Sequence, residues 1–292
     1  MIIVAGGSGL MGQHVVTDLL ARGEKVRVLV RDATRAREVF GDAVEVVAGD
    51  VRRAVGLDEV VAGAAVVVSA VHGFLGGRGA GPVEVDQRGN ANLVDAAAAA
   101  GASVVLVSVL GASPDSPVDL FRAKHGAEQH LRGSRAPWTI VRAPAYLETW
   151  LTILTKTAGT SGRPLIFGRG EQPIRFVSAL DVAAVVSRAA TDVTLRGQVL
   201  EIAGEPMTLT DLARALQEAR GWRRSPHHLP RPVLRTLSVL ARPISPAFAR
   251  QNQTALAMDT GTLTVSTPAA SPLGPPGQTL SAVLARLART AG

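Results

Sequence analysis

The chain contains no cysteine, and this absence removes several kinds of chemistry at once. None of its 292 residues offers a thiol that could form a disulfide, bind a metal as a thiolate or act as a nucleophile. The histidine and acidic residues are dispersed, without an HExxH pattern or another recognisable ligand spacing, so we expect no metal site. Any catalysis therefore depends on oxygen and nitrogen groups or on a bound cofactor.

Long apolar runs and a leader-like start are also lacking. No stretch reaches the roughly 18 uninterrupted apolar residues of a membrane span, and the Ala-rich segment 94–112 is interrupted by Asp95, Gly101 and Ser103. The first residues enter an apolar strand pattern directly, instead of the charged region and cleavage site of a secretory signal. These features predict a cytoplasmic protein without a membrane partner.

Aromatic residues make up only 3% of the chain, although its formal net charge is +7. Only three of the 31 basic residues are lysines, and the arginines are scattered along the sequence instead of forming one stripe. Single-stranded nucleic acids are bound by aromatic stacking together with a basic groove, and this composition provides little stacking surface. We therefore expect no nucleic-acid partner.

A glycine-rich turn at the start of the chain is its most informative motif. The apolar run from residue 2 breaks at Gly6, Gly9 and Gly12, and an amphipathic stretch at 13–22 follows. A tight strand-to-helix turn needs backbone freedom, a close pyrophosphate leaves no room for a Cβ, and helix amides donate to the anion. The pattern predicts a dinucleotide phosphate-binding loop.

The residue after the second predicted strand, 25–30, indicates which dinucleotide binds. That residue is Arg31, where an acidic side chain would otherwise bind a free ribose 2′-hydroxyl, although Asp32 follows directly. A guanidinium forms charge-assisted hydrogen bonds with a 2′-phosphate, and Arg35 or Arg37 would add to it. We therefore predict NADP as the cofactor.

Strand and helix patterns alternate along most of the chain. This alternation predicts an α/β fold, a Rossmann-like doubly wound parallel sheet with the ligand over the carboxyl ends of the strands. The third and fourth strands lack period-two alternation and are expected to be buried on both faces. The predicted strands begin at residue 2 or span 25–30, 44–47, 64–69, 103–108, 138–142 and 199–203. The predicted helices span 13–22, 57–62, 82–100, 119–132, 181–190, 208–221 and 281–289.

The regular pattern loosens after the sixth strand. Residues 150–175 are rich in glycine and proline and indicate an excursion from the sheet, whereas 176–204 return to it. We expect residues 1–149, completed by 176–204, to form the cofactor-binding core. Residues 150–175 and 205–292 are expected to form a smaller C-terminal substrate-binding lobe.

Lys124 falls on the apolar side of the predicted helix 119–132. Leu120, Ala127 and Leu131 form a stripe at helical spacing, and Lys124 lies within it. An unpaired buried ammonium is costly, so the side chain either reaches the edge of the helix or bonds to polar groups such as ribose hydroxyls.

Together these motifs resemble the NmrA-like atypical short-chain dehydrogenase/reductases over residues 1–204. The resemblance implies that the phosphates lie at a loop that includes Ser8, Leu10 and Met11, and that Arg31 contacts the 2′-phosphate. It implies that Lys124 lies by the nicotinamide ribose. The other residues implied to line the cofactor are Asp50, Val51, Ser69, Ala70, Ser108, Ala143 and Pro144.

One departure from the wider superfamily affects the chemistry. In the Tyr-x-x-x-Lys pair of that superfamily the tyrosine donates a proton, but Leu120 stands four residues before Lys124. The proton would then come from Lys124, Tyr146, His72 or water. We expect Lys124→Met to weaken NADPH binding or turnover and to leave the fold intact.

The resulting prediction is an NADPH-dependent reductase of a small apolar carbonyl, enone or quinone, in a monomer or homodimer. Tyr146 and the apolar residues that follow it are candidates either for a hydrophobic pocket wall or for the core. These residues are Leu147, Trp150, Leu151 and Leu154. The missing tyrosine motivates an alternative of a different class, a non-catalytic protein that senses the NADP(H) redox state.

Overall fold

The structure is a computed structural model that describes residues 1–263, 274 and 277–290. Its elements alternate between strand and helix through the first two thirds of the chain. In chain order they are β1 (Ile2–Ala5), α1 (Leu10–Ala21), β2 (Val26–Val30), α2 (Ala33–Phe40), β3 (Glu45–Ala48), α3 (Leu57–Val61), β4 (Val66–Ser69), a π-helix (Val83–Gly89), α4 (Asn90–Ala99), β5 (Ser103–Val109), α5 (Asp119–Gly133), β6 (Trp138–Ala143), β7 (Ala145–Tyr146), α6 (Leu147–Ala158), β8 (Leu165–Phe167), β9 (Ile174–Val177), α7 (Ala179–Thr191), β10 (Val199–Glu201), β11 (Glu205–Met207), α8 (Leu209–Arg220), β12 (His227–Leu229), α9 (Arg231–Leu240), α10 (Pro246–Asp259) and α11 (Leu280–Thr290), with 3-10 turns at Gly41–Ala43, Gly159–Ser161 and Val193–Leu195.

Seven strands form one parallel sheet in the order β10-β6-β5-β4-β1-β2-β3. β1 is central, with Ile2 opposite Val26 on one side and Val66 on the other. Chain order reverses between β1 and β4, because β2 and β3 extend the sheet in one direction and the later strands extend it in the other. This is the predicted doubly wound fold, and it is confirmed. Ligands of such folds bind at the carboxyl ends of the strands where the order reverses.

Helices cover the central strands on both faces. All four residues of β1 and all four of β4 are buried, and the core between the sheet and helices α3, α4 and α5 includes Leu93, Leu106 and Leu131. The expectation that the third strand is buried as well is wrong. β3 is the edge strand, paired only with β2, and both Glu45 and Ala48 at its ends are exposed.

The chain divides into two compact units. The first comprises Met1–Ala143 and Leu180–Glu201, and the second comprises Pro144–Ala179 and Ile202–Gly292. The second unit contains a three-stranded sheet in the order β11-β9-β7 and a parallel pair of β8 and β12. Its core includes Leu151, Phe176 and Leu212, together with Val283 from α11.

Helices α8 and α6 of the second unit differ in how clearly the sequence indicates them. Thr208 and Asp211 form a reciprocal capping box at the start of α8, as the Thr-x-x-Asp pattern predicts. By contrast, the sequence does not predict α6, a helix of 12 residues that begins before the segment 150–175 and ends inside it. The glycines that follow the helix mask its pattern. None of the helices in the described ranges is both long enough and apolar enough to cross a membrane.

Candidate functional site

The glycine loop joins β1 to α1 at the reversal of strand order. Gly6 has a φ of +82°, and a Cβ there would lie 2.9 Å from the carbonyl oxygen of Ala70, which follows β4. A Cβ at Gly12 would lie 2.2 Å from the Gly6 carbonyl oxygen. Both contacts are with backbone, which cannot rotate away as a flexible side chain can. Glycine is therefore required at these two positions for the loop to close.

Gly9 differs from the other two glycines of the loop. It is exposed, and a Cβ there would meet a single atom, the Gly6 carbonyl oxygen, at 3.3 Å. Packing within the protein therefore requires glycine at residue 12 more strictly than at residue 9. A residue without a side chain at this exposed position leaves the backbone open to a ligand, as close approach of a pyrophosphate requires.

The first turn of α1 has the form of an anion site. Gly9 is the N-cap and offers no side-chain acceptor, so no side chain caps the helix. Gln13 Nε2 donates to the Ser8 carbonyl oxygen at 2.9 Å and braces the turn. Ser8 is half-buried and Leu10 is exposed, whereas Met11 is buried against the sheet. Uncapped amides and the positive end of the helix dipole fit a diphosphate.

Arg31 and Asp32 follow β2 and have different surroundings. The Asp32 side chain is the N-cap of α2 and accepts a hydrogen bond from the Arg35 amide at 3.0 Å. One oxygen of its carboxylate thus caps the helix. Arg31 is exposed and enters no hydrogen bond or ion pair within the residues that the structure describes. A guanidinium in this state is available to a phosphate group.

Asp50 and Val51 follow β3 and are fixed by different contacts. Asp50 is half-buried and accepts hydrogen bonds from the backbone and side chain of Arg52, and these contacts hold the pKa of its carboxyl below the usual range. Val51 is buried, and its carbonyl oxygen accepts from Asn92 Nδ2 at 2.9 Å. This turn therefore has an apolar side chain and a carboxylate that is ionised at neutral pH.

Ser69 is the last residue of β4, and Ala70 follows it. Ser69 is buried, and its hydroxyl donates to the side-chain oxygen of Asn90, whose Nδ2 in turn donates to the Asp86 carbonyl oxygen at 2.7 Å. The Ala70 amide donates to the Ala5 carbonyl oxygen at 2.9 Å, which continues the ladder beyond the strand. The carboxyl ends of β1 and β4 are thereby held together.

Lys124 lies in the buried stripe of α5, as the helical periodicity predicts. Its side chain is 5% exposed, and Nζ lies 3.0 Å from Oδ1 of the fully buried Asp86. Nζ also donates to the carbonyl oxygen of Val71 at 3.0 Å, and Oδ2 of Asp86 accepts from the Gly73 amide at 2.7 Å. The partner that the lysine needs is therefore a carboxylate of the protein itself, which the sequence did not reveal.

The element that carries Asp86 explains how this ion pair forms. Residues 82–100 were predicted as one helix, but the structure forms a π-helix at Val83–Gly89 before α4. The wider turn carries Gln87 to within contact of α5, where a Cβ at Gly126 would lie 2.9 Å from Gln87 Nε2. Glycine at position 126 thus permits the close packing that places Asp86 beside Lys124. Such π-helical turns are frequent at functional sites.

Ser108 belongs to a second buried polar network. Its hydroxyl donates at 2.6 Å to Oε1 of Glu128, which is fully buried on α5. Arg142 donates to both oxygens of Glu128, at 2.9 and 2.6 Å, and to Glu201 at 3.0 Å. These carboxylates raise the pKa of Arg142 above its usual value. The Ser108 hydroxyl is thus engaged inside the protein, and the network ties α5 to β5, β6 and β10.

The remaining predicted residues lie after β4 and at the end of β6. His72 is an exposed residue, yet the surrounding protein desolvates its imidazole and lowers its pKa. The charge of Asp86 opposes this shift, and the charges of Lys124 and Arg31 add to it. Ala143 is buried and its carbonyl oxygen accepts from the Leu110 amide at 2.8 Å.

Pro144 and Tyr146 belong to the second unit, and both are half-buried. Burial and the nearby Glu148 carboxylate raise the pKa of the Tyr146 phenol, so it remains protonated at neutral pH. No cluster of three or more potential metal ligands occurs among the residues that the structure describes.

A parallel sheet with a glycine loop at its reversal point defines a Rossmann-like α/β protein. The model of the NmrA-like family matches residues 1–265, and the chain belongs to this family. An NAD(P)H azoreductase from Xenophilus azovorans is 30% identical over 226 residues, which are 76% of this chain and 74% of that protein. A (4-alkanoyl-5-oxo-2,5-dihydrofuran-3-yl)methyl phosphate reductase from Streptomyces griseus is 29% identical, covering 75% of this chain and 73% of that protein.

The fold also occurs among solved structures. The crystal structure of an NADPH-dependent quinone oxidoreductase from Escherichia coli, complexed with NADPH, superposes with a TM-score of 0.75 at 22% identity. The match covers 98% of this chain and 99% of that chain. It confirms the Rossmann-like architecture that the alternating strand and helix pattern predicts.

Proposed function

We propose that this protein is an NADPH-dependent reductase that transfers hydride to a small apolar acceptor. The observation that carries the proposal is the pair formed by the glycine loop and Arg31. The uncapped start of α1 fits a diphosphate, and an exposed arginine follows β2, while one carboxylate oxygen of Asp32 caps α2. Membership of the NmrA-like family and the similarity to reductases that use NAD(P)H support it.

The residues of the first unit would hold the dinucleotide. The loop 6–12 would bind the diphosphate through its backbone amides, Arg31 the 2′-phosphate, and the turn at Asp50 and Val51 the adenosine part. Ser69, Ala70, Ala143 and Pro144 are proposed to lie along the rest of the cofactor. When bound, the dihydronicotinamide supplies a hydride to the acceptor.

Lys124 is proposed to position the cofactor and not to act as the acid. An ammonium has three donors, of which one donates to the Val71 carbonyl oxygen, while the charge pairs with Oδ1 of Asp86 at 3.0 Å. A further N–H is proposed to donate to a ribose hydroxyl. Because the ion pair and the hydrogen bond fix Nζ in one place, the lysine is suited to position the cofactor.

Tyr146 is proposed as the proton donor. Its raised pKa keeps the phenol protonated at neutral pH, although it makes the phenol a weaker acid, whereas the lowered pKa of His72 leaves the imidazole neutral. A protonated phenol can donate to a developing oxyanion, although the superfamily tyrosine position before Lys124 is occupied by Leu120. Acceptors such as quinones already stabilise the incoming electron pair and depend less on this proton.

The acceptor is proposed to be conjugated and apolar. The proposal rests on the azoreductase and the quinone oxidoreductase named above, because azo and quinone groups are conjugated. Leu147, Leu151 and Leu154, which the sequence offers as candidates for a pocket wall, are buried in the core of the second unit and do not support it. We assign residues 150–175 and 205–292 to substrate binding as part of the same proposal.

Leu120 at the tyrosine position also favours a second candidate, a protein that binds NADP(H) without turning it over. Calorimetry with NADPH and NADH, followed by NADPH oxidation with quinones, azo dyes, enones and ketones, separates the two. NADPH preference with oxidation of a quinone or azo dye is the expected result. Tight NADPH binding without oxidation of any acceptor would indicate the sensor, and absence of binding would overturn both.

A further inference from the structure

The hairpin of α9 and α10 exposes an unusual number of apolar side chains. The two helices pack against each other within the second unit. Between residues 233 and 248, five large apolar side chains are exposed. They are Val233 (40%), Val239 (61%), Leu240 (66%), Ile244 (86%) and Phe248 (45%). We call these five residues the hairpin surface. Single exposed apolar residues are ordinary, but a cluster of them in 16 residues marks an interaction site.

The periodicity of α9 shows that this exposure is not a fraying end. Leu234 and Ser238 are buried four residues apart and anchor one side of the helix. Val233, Thr236, Val239 and Leu240 are exposed, so the outward side is nearly as apolar as the inward side. Arg235 is the one charged residue among the exposed positions of α9. A surface helix of a globular domain normally presents charged residues outward.

The segment that carries the hairpin surface has charges of one sign. Residues 219–258 contain no aspartate or glutamate, although the chain has 24 acidic residues. The same segment contains seven arginines, of which Arg220, Arg223, Arg224, Arg235 and Arg242 are exposed. Arg231 forms an ion pair with Asp259, so its charge is not available to a partner. Exposed arginines beside exposed apolar residues are typical of proteins that lie on anionic membranes.

We propose that the hairpin surface docks on an anionic lipid bilayer. The exposed apolar side chains would enter the boundary between headgroups and acyl chains, while Arg235 and Arg242 would contact lipid phosphates. The expectation of no membrane partner rested on the lack of a spanning segment, and peripheral docking does not need one. A second copy of this chain is a poorer occupant, because its own hairpin carries the same positive charge.

Vesicle flotation with the full chain tests this proposal and does not depend on enzymatic activity. The vesicles are phosphatidylcholine alone and phosphatidylcholine with about 30% phosphatidylglycerol. Val239→Asn is compared with Val193→Asn, because both valines are 61% exposed and Val193 lies in the first unit. Arg235→Gln is compared with Arg135→Gln, another exposed arginine of the first unit. Thermal melting verifies that each variant is folded.

We expect flotation with the anionic vesicles only, and a strong reduction by salt. Val239→Asn should lower the partition coefficient about tenfold and Arg235→Gln about fivefold, with little change in the two control variants. Equal flotation of Val239→Asn and the wild-type protein would overturn the proposal. So would the absence of flotation, or a wild-type dimer in sedimentation velocity that Val239→Asn dissociates, since self-association would then explain the exposed surface.

Discussion

Nζ of Lys124 and Oδ1 of Asp86 lie 3.0 Å apart, and their side chains are 5% and 0% exposed. The two residues are 38 positions apart and reach each other from α5 and the π-helix. A buried ion pair contributes little net stability, because desolvation of both charges offsets their attraction. Removing one partner is costly, however, since the other charge is then buried alone. The pair thus fixes the lysine at one place in the proposed site.

This ion pair changes what we expect of Lys124→Met. The sequence alone predicted weaker NADPH binding or turnover with an intact fold. Because the substitution leaves the Asp86 carboxylate buried without its cation, we now also expect a loss of about 3–5 kcal/mol in the free energy of unfolding. Urea denaturation measures this loss, and calorimetry measures the affinity for NADPH.

A double-mutant cycle provides the control for that prediction. Asp86→Asn combined with Lys124→Met removes both charges, and it should cost less than the sum of the two single substitutions. NADPH affinity should nevertheless stay low in the double variant, because the donor to the ribose is missing. Additive losses of stability would contradict the ion pair, and wild-type affinity in Lys124→Met would remove the lysine from the site.

Alanine substitutions in the glycine loop should separate packing from ligand binding. Gly12→Ala should lower the melting temperature and abolish NADPH binding, because its Cβ would lie 2.2 Å from the Gly6 carbonyl oxygen. Gly9→Ala should destabilise the fold far less but still weaken NADPH binding by about tenfold or more. Gly133→Ala on α5, where a Cβ meets nothing within 4 Å, is the control and should change neither quantity. Unaltered NADPH affinity in Gly9→Ala would argue against a phosphate at this loop.

Arg31 should determine the preference for NADPH over NADH. Loss of a charge-assisted contact with the 2′-phosphate costs about 1.5–3 kcal/mol, so Arg31→Ala should weaken NADPH binding about 10- to 100-fold. NADH, which lacks that phosphate, should bind with nearly unchanged affinity. Arg135→Ala serves as the control. Equal losses for both dinucleotides would assign Arg31 a structural role instead of recognition.

The sequence predicted those parts of the fold and site that depend on neighbours along the chain. Three features involve residues that lie close together in the sequence. They are the glycine loop, the buried face of α5 that contains Lys124, and the capping box at Thr208. Their geometry is imposed locally, by crowding of the loop backbone or by helical periodicity. The alternation of strands and helices likewise predicted the parallel sheet.

The sequence did not predict what depends on contacts between distant segments. Asp86 lies 38 residues before Lys124, and Glu128 and Ser108 meet across 20 residues. The π-helix packs closely against α5 at Gly126, and the local sequence pattern holds no sign of this contact. β3 was expected to be buried because its composition resembles that of the central strands, while its place at the edge of the sheet follows from topology.

Tyr146→Phe tests the proposed proton donor. We expect kcat for an enone or ketone to fall about 100-fold, with an unchanged dissociation constant for NADPH. Because burial raises the pKa of Tyr146, the wild-type rate should show no alkaline decline from this phenol below about pH 10. His72→Gln is the companion variant, and its kcat should change by less than about threefold. A large fall in kcat for His72→Gln with a small one for Tyr146→Phe would instead identify the imidazole as the proton donor.

Protonation of Asp259 at low pH should destabilise the second unit. Burial alone would raise the pKa of Asp259, but hydrogen bonds from Arg231 Nε at 2.6 Å and the Gly170 amide at 2.8 Å outweigh it, and the pKa lies below its usual value. The folded state therefore binds a proton less readily than the unfolded state. Stability is present above about pH 4, the unfolded value, and is lost as the pH falls through the lower folded value.

Thermal melting between pH 3 and pH 7 checks this dependence. Asp259→Asn should lower the stability at pH 7 by about 3 kcal/mol and reduce its further decline toward pH 3. Asp115→Asn, at an exposed turn, should retain the wild-type profile. A profile of Asp259→Asn parallel to that of the wild-type protein would contradict the assignment.

The last helix determines where the protein can be shortened. Arg286 on α11 pairs with the buried Glu148 on α6, and Glu148 also holds the Ser178 hydroxyl and the Ala179 amide at the start of α7. The family match ends at residue 265, so this anchor lies beyond it. A version trimmed to residue 265 would leave the Glu148 carboxylate without its cation and would uncover the core face where Val283 packs. The limit of the family match is thus not the limit of the folded second unit.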